Sequence, residues 1–326
     1  MILKHVKKPK VLLSYEALLR RTQNNYEENQ QISDDYSKFK AGFIGEKSLN
    51  YYLQLLTLDD GFIIHDLRLK IKDINFQIDV LIVTPKFICI IEVKYLKGIL
   101  HYDSVQKQLI QQVDDKFKRF PDPLTQADIQ KSNLEIFLDY HSLPKLPIEI
   151  IVVSTHKEAV IKNTHPENKF PENFIHSERL KFHFDTLITN HKEILVPNGR
   201  ILSLGQKLLK SDRPLTHNLL NKYGLTSNNI HFELTCKNCQ SNKIIRTNRN
   251  WLCTSCNTKL HKHAHERLIY DYFLIYNIPI TNKICRNILG LNSRKTATII
   301  LKNMNLIRKG SYRHTIYLPP TKYPEN

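Results

Sequence analysis

The chain opens on polar residues and only later settles into regular apolar spacing. Residues 1–40 are polar, with Asn, Gln, Glu and Asp crowded into positions 24–35, which predicts a frayed helical lead-in with little core of its own. From residue 43 to 58 apolar side chains recur at 43, 44, 49, 52, 53 and 56, a helical spacing that places Glu46 on the first turns. Extended stretches follow at 62–65, at 76–83 and at 87–94, and Thr84-Pro85-Lys86 is short enough to close a hairpin between the last two. After Gly98 the pattern reads as a short strand, then as polar helix over 105–120. Pro121-Asp122-Pro123 breaks it before a helix from about Leu124 to Tyr140. Residues 148–154 read as a buried strand and 155–177 as loop, and later helical stretches lead to a basic linker around 210–214. This order predicts an α/β (α+β) domain over 41–210, a mixed sheet flanked by helices, followed by a linker over 211–232.

Beyond residue 260 the pattern changes to short helices. A helix runs from His265 to Tyr276, a second begins at Pro279-Ile280-Thr281 and ends at Gly290, and Asn292-Ser293 cap a third that reaches about Asn305. This is helix-turn-helix spacing, and residues 306–318, centred on Gly310-Ser311, read as a two-stranded wing. The segment 261–326 resembles a winged helix. Its third helix opens with Arg294, Lys295 and Thr296, short or basic side chains suited to the major groove of DNA, and the wing carries Arg308, Lys309 and Arg313. The same topology also serves dimerisation and protein docking.

Charge sharpens the picture. Lys and Arg number 48 against 31 Asp and Glu over 326 residues, a formal charge of +17. Residues 233–326 hold 16 basic against 4 acidic side chains, and the remainder 32 against 27, so the basic excess sits at the C-terminal end. An anionic partner such as nucleic acid or a membrane surface follows, although biased genome composition also raises Lys and Asn. The longest apolar runs, such as residues 87–91, fall far short of the roughly 20 residues that span a bilayer, and residues 1–21 lack the apolar centre of a secretory signal. A cytoplasmic protein without a membrane partner is expected, and a homodimer would suit both a winged helix and a single-cut active site.

Asp79 interrupts an otherwise apolar strand, while Glu92 and Lys94, two residues apart, share one face at the end of the most hydrophobic run. Charges in the middle of a sheet are costly to bury unless paired or bound to metal. Two carboxylates and a carbonyl, that of Val93, can hold Mg²⁺ or Mn²⁺, with Lys94 orienting the attacking water. A solvated ion-pair cluster would give the same triplet. Around it stand Gly42-Phe43-Ile44-Gly45-Glu46, Gln77-Ile78-Asp79, Ile91-Glu92-Val93-Lys94 followed by Gly98, and Asp122-Pro123-Leu124-Thr125-Gln126. On these residues the stretch from about 41 to 154 resembles the nuclease-related domain, NERD, a branch of the PD-(D/E)xK, restriction-endonuclease-like fold. The resemblance implies Glu46, Asp79 and Glu92 around a catalytic metal, Lys94 at the nucleophile and Gln126 near the site or substrate. One departure is Val80, where relatives commonly carry a polar or aromatic residue.

Cys236 and Cys239, with Cys253 and Cys256, form two Cys-x-x-Cys pairs separated by 13 residues, slightly tighter than the roughly 15 to 20 of the common spacing. Four thiolates fill the shell of a structural Zn²⁺, which predicts a zinc ribbon over 233–260, its hairpin in residues 243–252. A redox dithiol pair is the alternative. Arg246, Arg249 and Trp251 place charge and an aromatic ring on the ribbon for phosphate contact and base stacking, and Trp251 reads equally as core. Cys89 and Cys285 sit in apolar contexts, and His261, His263 and His265 in a polar one. The expected function is a metal-dependent nuclease hydrolysing DNA with C-terminal binding modules. A DNA-binding regulator with a silent nuclease-like fold and an RNA-processing enzyme are the competing readings.

Overall fold

The computed structural model describes residues 1–22, 26–247 and 250–324, without the side chains of residues 26–29 and 313. Strand β1 (Ile2–Lys4) and helices α1 (Lys10–Arg21) and α2 (Tyr26–Gln54) precede strands β2 (Phe62–Ile71), β3 (Ile74–Val83) and β4 (Ile88–Lys94). Strands β5 (Gly98–Asp103), β6 (Gln108–Val113) and β7 (Lys116–Pro121) lead to helix α3 (Pro123–Tyr140) and strands β8 (Ile148–Ser154), β9 (Ala159–Asn163) and β10 (Phe174–His176). Helices α4 (Leu180–Asn190), α5 (Asn198–Ser211) and α6 (Leu219–Lys222) are followed by strands β11 (Ile244–Arg246), β12 (Trp251–Cys253) and β13 (Lys259–Leu260). The chain closes with α7 (Glu266–Tyr276), β14 (Ile280–Thr281), α8 (Asn282–Leu289), α9 (Arg294–Asn303), β15 (Ile307–Lys309) and β16 (Ile316–Leu318). Two compact units result: Met1–Lys8 with Lys38–Leu215, and Pro9–Ser37 with Thr216–Asn326.

The first unit is built on a six-stranded mixed sheet, β1-β2-β3-β4-β8-β10, in which β2, β3 and β4 run antiparallel and β4, β8 and β10 parallel. Leu134 and Phe137 of α3 with Ile201, Leu204 and Leu208 of α5 pack on one face; Leu49 and Leu53 of α2 with Leu180 and Phe184 of α4 pack on the other. This is the expected mixed sheet flanked by helices. Asp122 caps α3, its carboxylate accepting from the amides of Leu124 and Thr125, and Pro123 occupies the first turn where its missing N–H costs nothing.

Three expectations change. Residues 105–120 are not a helix: β5, β6 and β7 form a meander joined to β9, with Lys107 and Asp114 in the left-handed region at its turns. The outer strand β7 is largely exposed, so it carries no apolar alternation to announce it. The 155–177 loop contains β9 and β10, which pair with β5 and β8. The helix bearing Glu46 starts at Tyr26 rather than near residue 43, so Glu46 lies deep in α2 and not in its first turns.

The second unit takes in the N-terminal residues that read as a coreless lead-in. Val11, Leu12, Tyr15 and Leu18 of α1 are buried, Ser14 Oγ donates to the Leu274 carbonyl at 2.9 Å, and Arg20 and Arg21 converge at 2.6 and 2.8 Å on Asp271 of α7, whose side chain is 0 % exposed. The polar average of residues 1–40 hid a four-residue apolar stripe at helical spacing. Trp251 of the ribbon shares one core with Leu268 and Phe273 of α7, Cys285 of α8, Ile300 of α9 and Tyr317 of β16. The ribbon and the helices after it therefore pack as one body. Among the described residues, no helix is long and apolar enough to cross a membrane.

Removing one partner from a buried ion pair strands the other charges, at roughly 3–5 kcal/mol. Asp271→Ala should therefore destabilise the second unit by about that amount in a denaturant titration followed by the fluorescence of Trp251, the chain's single tryptophan. An unchanged midpoint would show that α1 is held by apolar packing alone.

Candidate functional site

The β2–β3 hairpin is regular except at one level. The β2 side chains on the α3 and α5 face are Phe62 and Ile64, then Leu67, Leu69 and Ile71; on β3 they are Phe76 and Ile78, then Leu81 and Val83. The alternation shifts by one residue across Asp66 on β2 and across Asp79 on β3, while pairing keeps one register from His65–Val80 to Leu67–Ile78. Asp66 takes a left-handed φ of 49°, the local cost of this kink. The two aspartates thus stand opposite each other at a break in the sheet.

The same break separates β3 from β4, whose pairing stops at Val80–Ile91. Beyond that fork the Val93 amide has lost its β3 carbonyl, and Asp79 Oδ2 accepts from it at 2.9 Å. The N–H and C=O of one strand residue point to the same edge, so the Val93 carbonyl opens toward Asp79 as well. On the α3 side, buried Glu92 accepts at 2.7 Å from Lys94 Nζ through Oε1 and at 2.7 Å from Gln130 Nε2 through Oε2. Lys94 Nζ also donates to Gln126 Oε1 at 2.9 Å. Gln126 and Gln130, one helical turn apart on α3, thus hold the two charges of β4.

Glu46 arrives from α2. Gly45 permits this, because a Cβ there would stand 2.7 Å from Tyr95 Cβ and 3.3 Å from side-chain atoms of Val93 and Thr155. Burial, then the charges of Asp79 and Asp66, push the Glu46 carboxyl up to about 9. Burial, followed by the neighbouring Glu92 charge, also holds Asp79 well above the usual carboxylate range, against the opposing pull of the Val93 amide and Lys94. Asp66 is raised by burial. Acids that repel one another, beside a carbonyl of matching direction, form a donor set suited to a hard divalent cation.

The structure therefore brings Glu46, Asp79, Glu92, Val93, Lys94 and Gln126 to one place. Among the described residues, the four cysteines are the one group of three or more His, Cys, Asp or Glu side chains placed to share a metal ion, their sulfurs all within 4.8 Å of one another. Sequence reading missed three neighbours. Asp66 lay outside any apolar alternation, Gln130 was legible only as the i+4 partner of Gln126, and Lys4, which donates to the Asp66 carbonyl and pairs with Asp212 at 2.7 Å, comes from the distant β1.

In the second unit, Cys236 Sγ lies 3.6 Å from Cys256 Sγ and Cys239 Sγ 3.5 Å from Cys253 Sγ. Tetrahedral Zn–S bonds of about 2.3 Å place sulfurs about 3.8 Å apart. The knuckles are near copies: the amides of Cys236 and Cys253 donate to the carbonyls of Ser241 and Thr258, and Gln240 and Asn257 after each second cysteine adopt φ of 57°. The cluster is compatible with structural zinc.

The nucleic-acid candidates separate. Trp251 is 1 % exposed and donates to His265 Nδ1 at 3.1 Å, which leaves no face for a base and corrects the stacking expectation. The Arg246 guanidinium lies 4.9 Å from the Trp251 ring centre. Arg294 and Lys295 are exposed at the start of α9 and Thr296 is half-buried there, while Arg308 and Lys309 are exposed on β15. Arg249 and the Arg313 side chain lie outside the described residues.

A carboxyl raised on folding contributes most below its unfolded value and loses that contribution as pH climbs toward the folded one. Without divalent metal, stability should thus fall between pH 4.5 and about 9 through Glu46, and Glu46→Gln should gain on wild type across that window in thermal melts. Parallel curves would contradict the assignment. Chelation should release one zinc per chain and red-shift the Trp251 emission, and Cys239→Ser should do so without chelator.

No curated protein and no solved structure matches the chain. Residues 41–155, the segment that supplies Glu46, Asp79, Glu92, Lys94 and Gln126, match the family model NERD, so this stretch of the chain is a nuclease-related domain.

Proposed function

We propose that the chain is a metal-dependent nuclease that hydrolyses phosphodiester bonds of DNA, with its C-terminal ribbon and winged helix-turn-helix holding the nucleic acid. The observation that carries this reading is the fork between β3 and β4, where Asp79, Glu92 and the Val93 carbonyl meet Lys94 within a nuclease-related domain. Glu46, Asp79, Glu92 and the Val93 carbonyl are the groups that would hold Mg²⁺ or Mn²⁺, which supplies Lewis-acid stabilisation of charge on the phosphoryl oxygens. Lys94 has three N–H donors; among the described residues two are engaged, by Glu92 and Gln126, which leaves the third to hold the attacking water. Gln130 fixes Glu92 from behind, so the carboxylate keeps one orientation as the charge beside it changes.

The regulator reading draws on one observation: both Glu92 oxygens are already hydrogen-bonded, an arrangement that also suits a fold held without metal. Cleavage decides. Supercoiled and single-stranded DNA should be cut only when Mg²⁺ or Mn²⁺ is added, and Asp79→Ala and Lys94→Ala should each lower the rate by at least about 100-fold, the scale of a lost electrostatic or proton-handling group. Wild type that binds DNA yet never cuts it would favour the regulator.

A further inference from the structure

The C-terminal helices and wing enclose a groove that the sequence did not announce. It has a volume of about 920 Å³ and runs between α8, α9 and the β15–β16 wing. Lys283 and Arg286 line it from α8, Arg294 and Lys302 from α9, and Arg308 from the wing; no acidic residue lines it. Among the described residues, none of these five cations has a carboxylate partner. Five like charges held in one cleft without neutralisation are an unfavourable arrangement that a polyanion relieves. The cleft is also shaped by polar contacts: Asn282 donates to the Arg294 carbonyl and to Thr298 Oγ1, both at 2.9 Å, and accepts from Arg286 Nε at 3.2 Å, which ties α8 to α9 and aims the guanidinium.

At its rim Tyr312 is 95 % exposed and lies at a φ of 47°. A bulky residue in the left-handed region is strained, and here the strain presents a bare aromatic ring beside the cations. On α9 the groove residues Arg294, Thr298 and Lys302 fall at i, i+4 and i+8, one stripe facing the wing. The adjoining stripe, outside the groove, contains Lys295 and Ile299, the latter 49 % exposed. A helix that reads duplex DNA must protrude into a major groove about 12 Å wide with its polar stripe outward. Here the charged stripe lines the cleft between the helices and the wing. Concave cationic walls beside an exposed aromatic fit one strand, its phosphates on the cations and a base on the ring.

We propose that the groove between α8, α9 and the wing binds a single nucleic-acid strand through its phosphodiester backbone, with one unpaired base stacked on Tyr312. The proposal rests on the nucleic-acid reading above for the kind of polyanion, and departs from it in placing the contact in the cleft rather than on an outward recognition helix. DNA and RNA strands share the chemistry that the groove recognises.

The test is fluorescence anisotropy with the full chain carrying Asp79→Ala, in buffer without added Mg²⁺ or Mn²⁺ and without chelator, so that zinc stays and nothing is cut. The probes are labelled oligo-dT, oligo-U and a DNA duplex of equal length, across a salt series. Both strands, or one of them, should bind at least 10-fold more tightly than the duplex, and a preference between the two identifies the natural source. Tyr312→Ala should weaken strand binding about 10-fold with the salt slope unchanged, and Tyr312→Phe should restore it. Lys302→Ala should lower the slope by about 0.7, one single-strand phosphate contact. Unchanged zinc content and Trp251 emission confirm that each variant is folded. Equal or tighter duplex binding, or a Tyr312→Ala protein that binds the strand like its parent, overturns the proposal. Neither result bears on whether wild type cleaves DNA, so the two readings fail separately.

Discussion

The hydrogen bond from the Val93 amide to Asp79 marks the constraint on which the first unit turns. A six-stranded sheet covered by helices on both faces has no room for a row of charges, yet four carboxyl groups gather at one level of it. They are tolerated because the ladder is interrupted there: β2 and β3 kink together at Asp66 and Asp79, β3 parts from β4, and backbone groups released by the parting are met by side chains. Buried ionisable groups normally shed charge or find partners. Here Glu92 has partners in Lys94 and Gln130, whereas burial pushes the Glu46 carboxyl up to about 9 and holds Asp79 well above the usual carboxylate range. A divalent cation would reverse that balance, since it adds positive charge beside these acids and favours their ionised form.

Much of this was visible in the sequence because chemistry and periodicity coincide. Asp79 breaks an apolar run, Glu92 and Lys94 end another, and the two Cys-x-x-Cys pairs carry their own spacing; each signal needs only local geometry. The rest depended on what the chain meets in space. The outer strand β7 faces solvent and gave no alternation, and Gln130 looks like any helix-face amide until Glu92 is known to lie beneath it. Trp251 showed the limit in the other direction, because an aromatic between arginines in a small ribbon reads as a base platform, but the ribbon shares its core with α7, α8 and α9. Residues 10–21 were misjudged by average polarity, although Val11, Leu12, Tyr15 and Leu18 already had the spacing of a buried helix face.

The second unit solves a different problem with the same physics. Its helices are short and its ribbon too small for a core of its own, so stability is gathered from the pooled apolar cluster and from α1, returned from the N-terminal end and fastened to Asp271 by two arginines, and a zinc ion on the four cysteines would add to it. What remains at the surface is strongly basic and, in the cleft beside the wing, unneutralised.

The central claim is that the fork takes a divalent cation on carboxyls that burial holds above their usual range. Calorimetric titration of the full, zinc-loaded chain with Mn²⁺ at pH 7, repeated in buffers of different ionisation heat, tests it directly. The account predicts saturable binding that releases at least one proton per chain, and the loss of both binding and release in Asp79→Asn. Binding without proton release, or binding unchanged in Asp79→Asn, would contradict it.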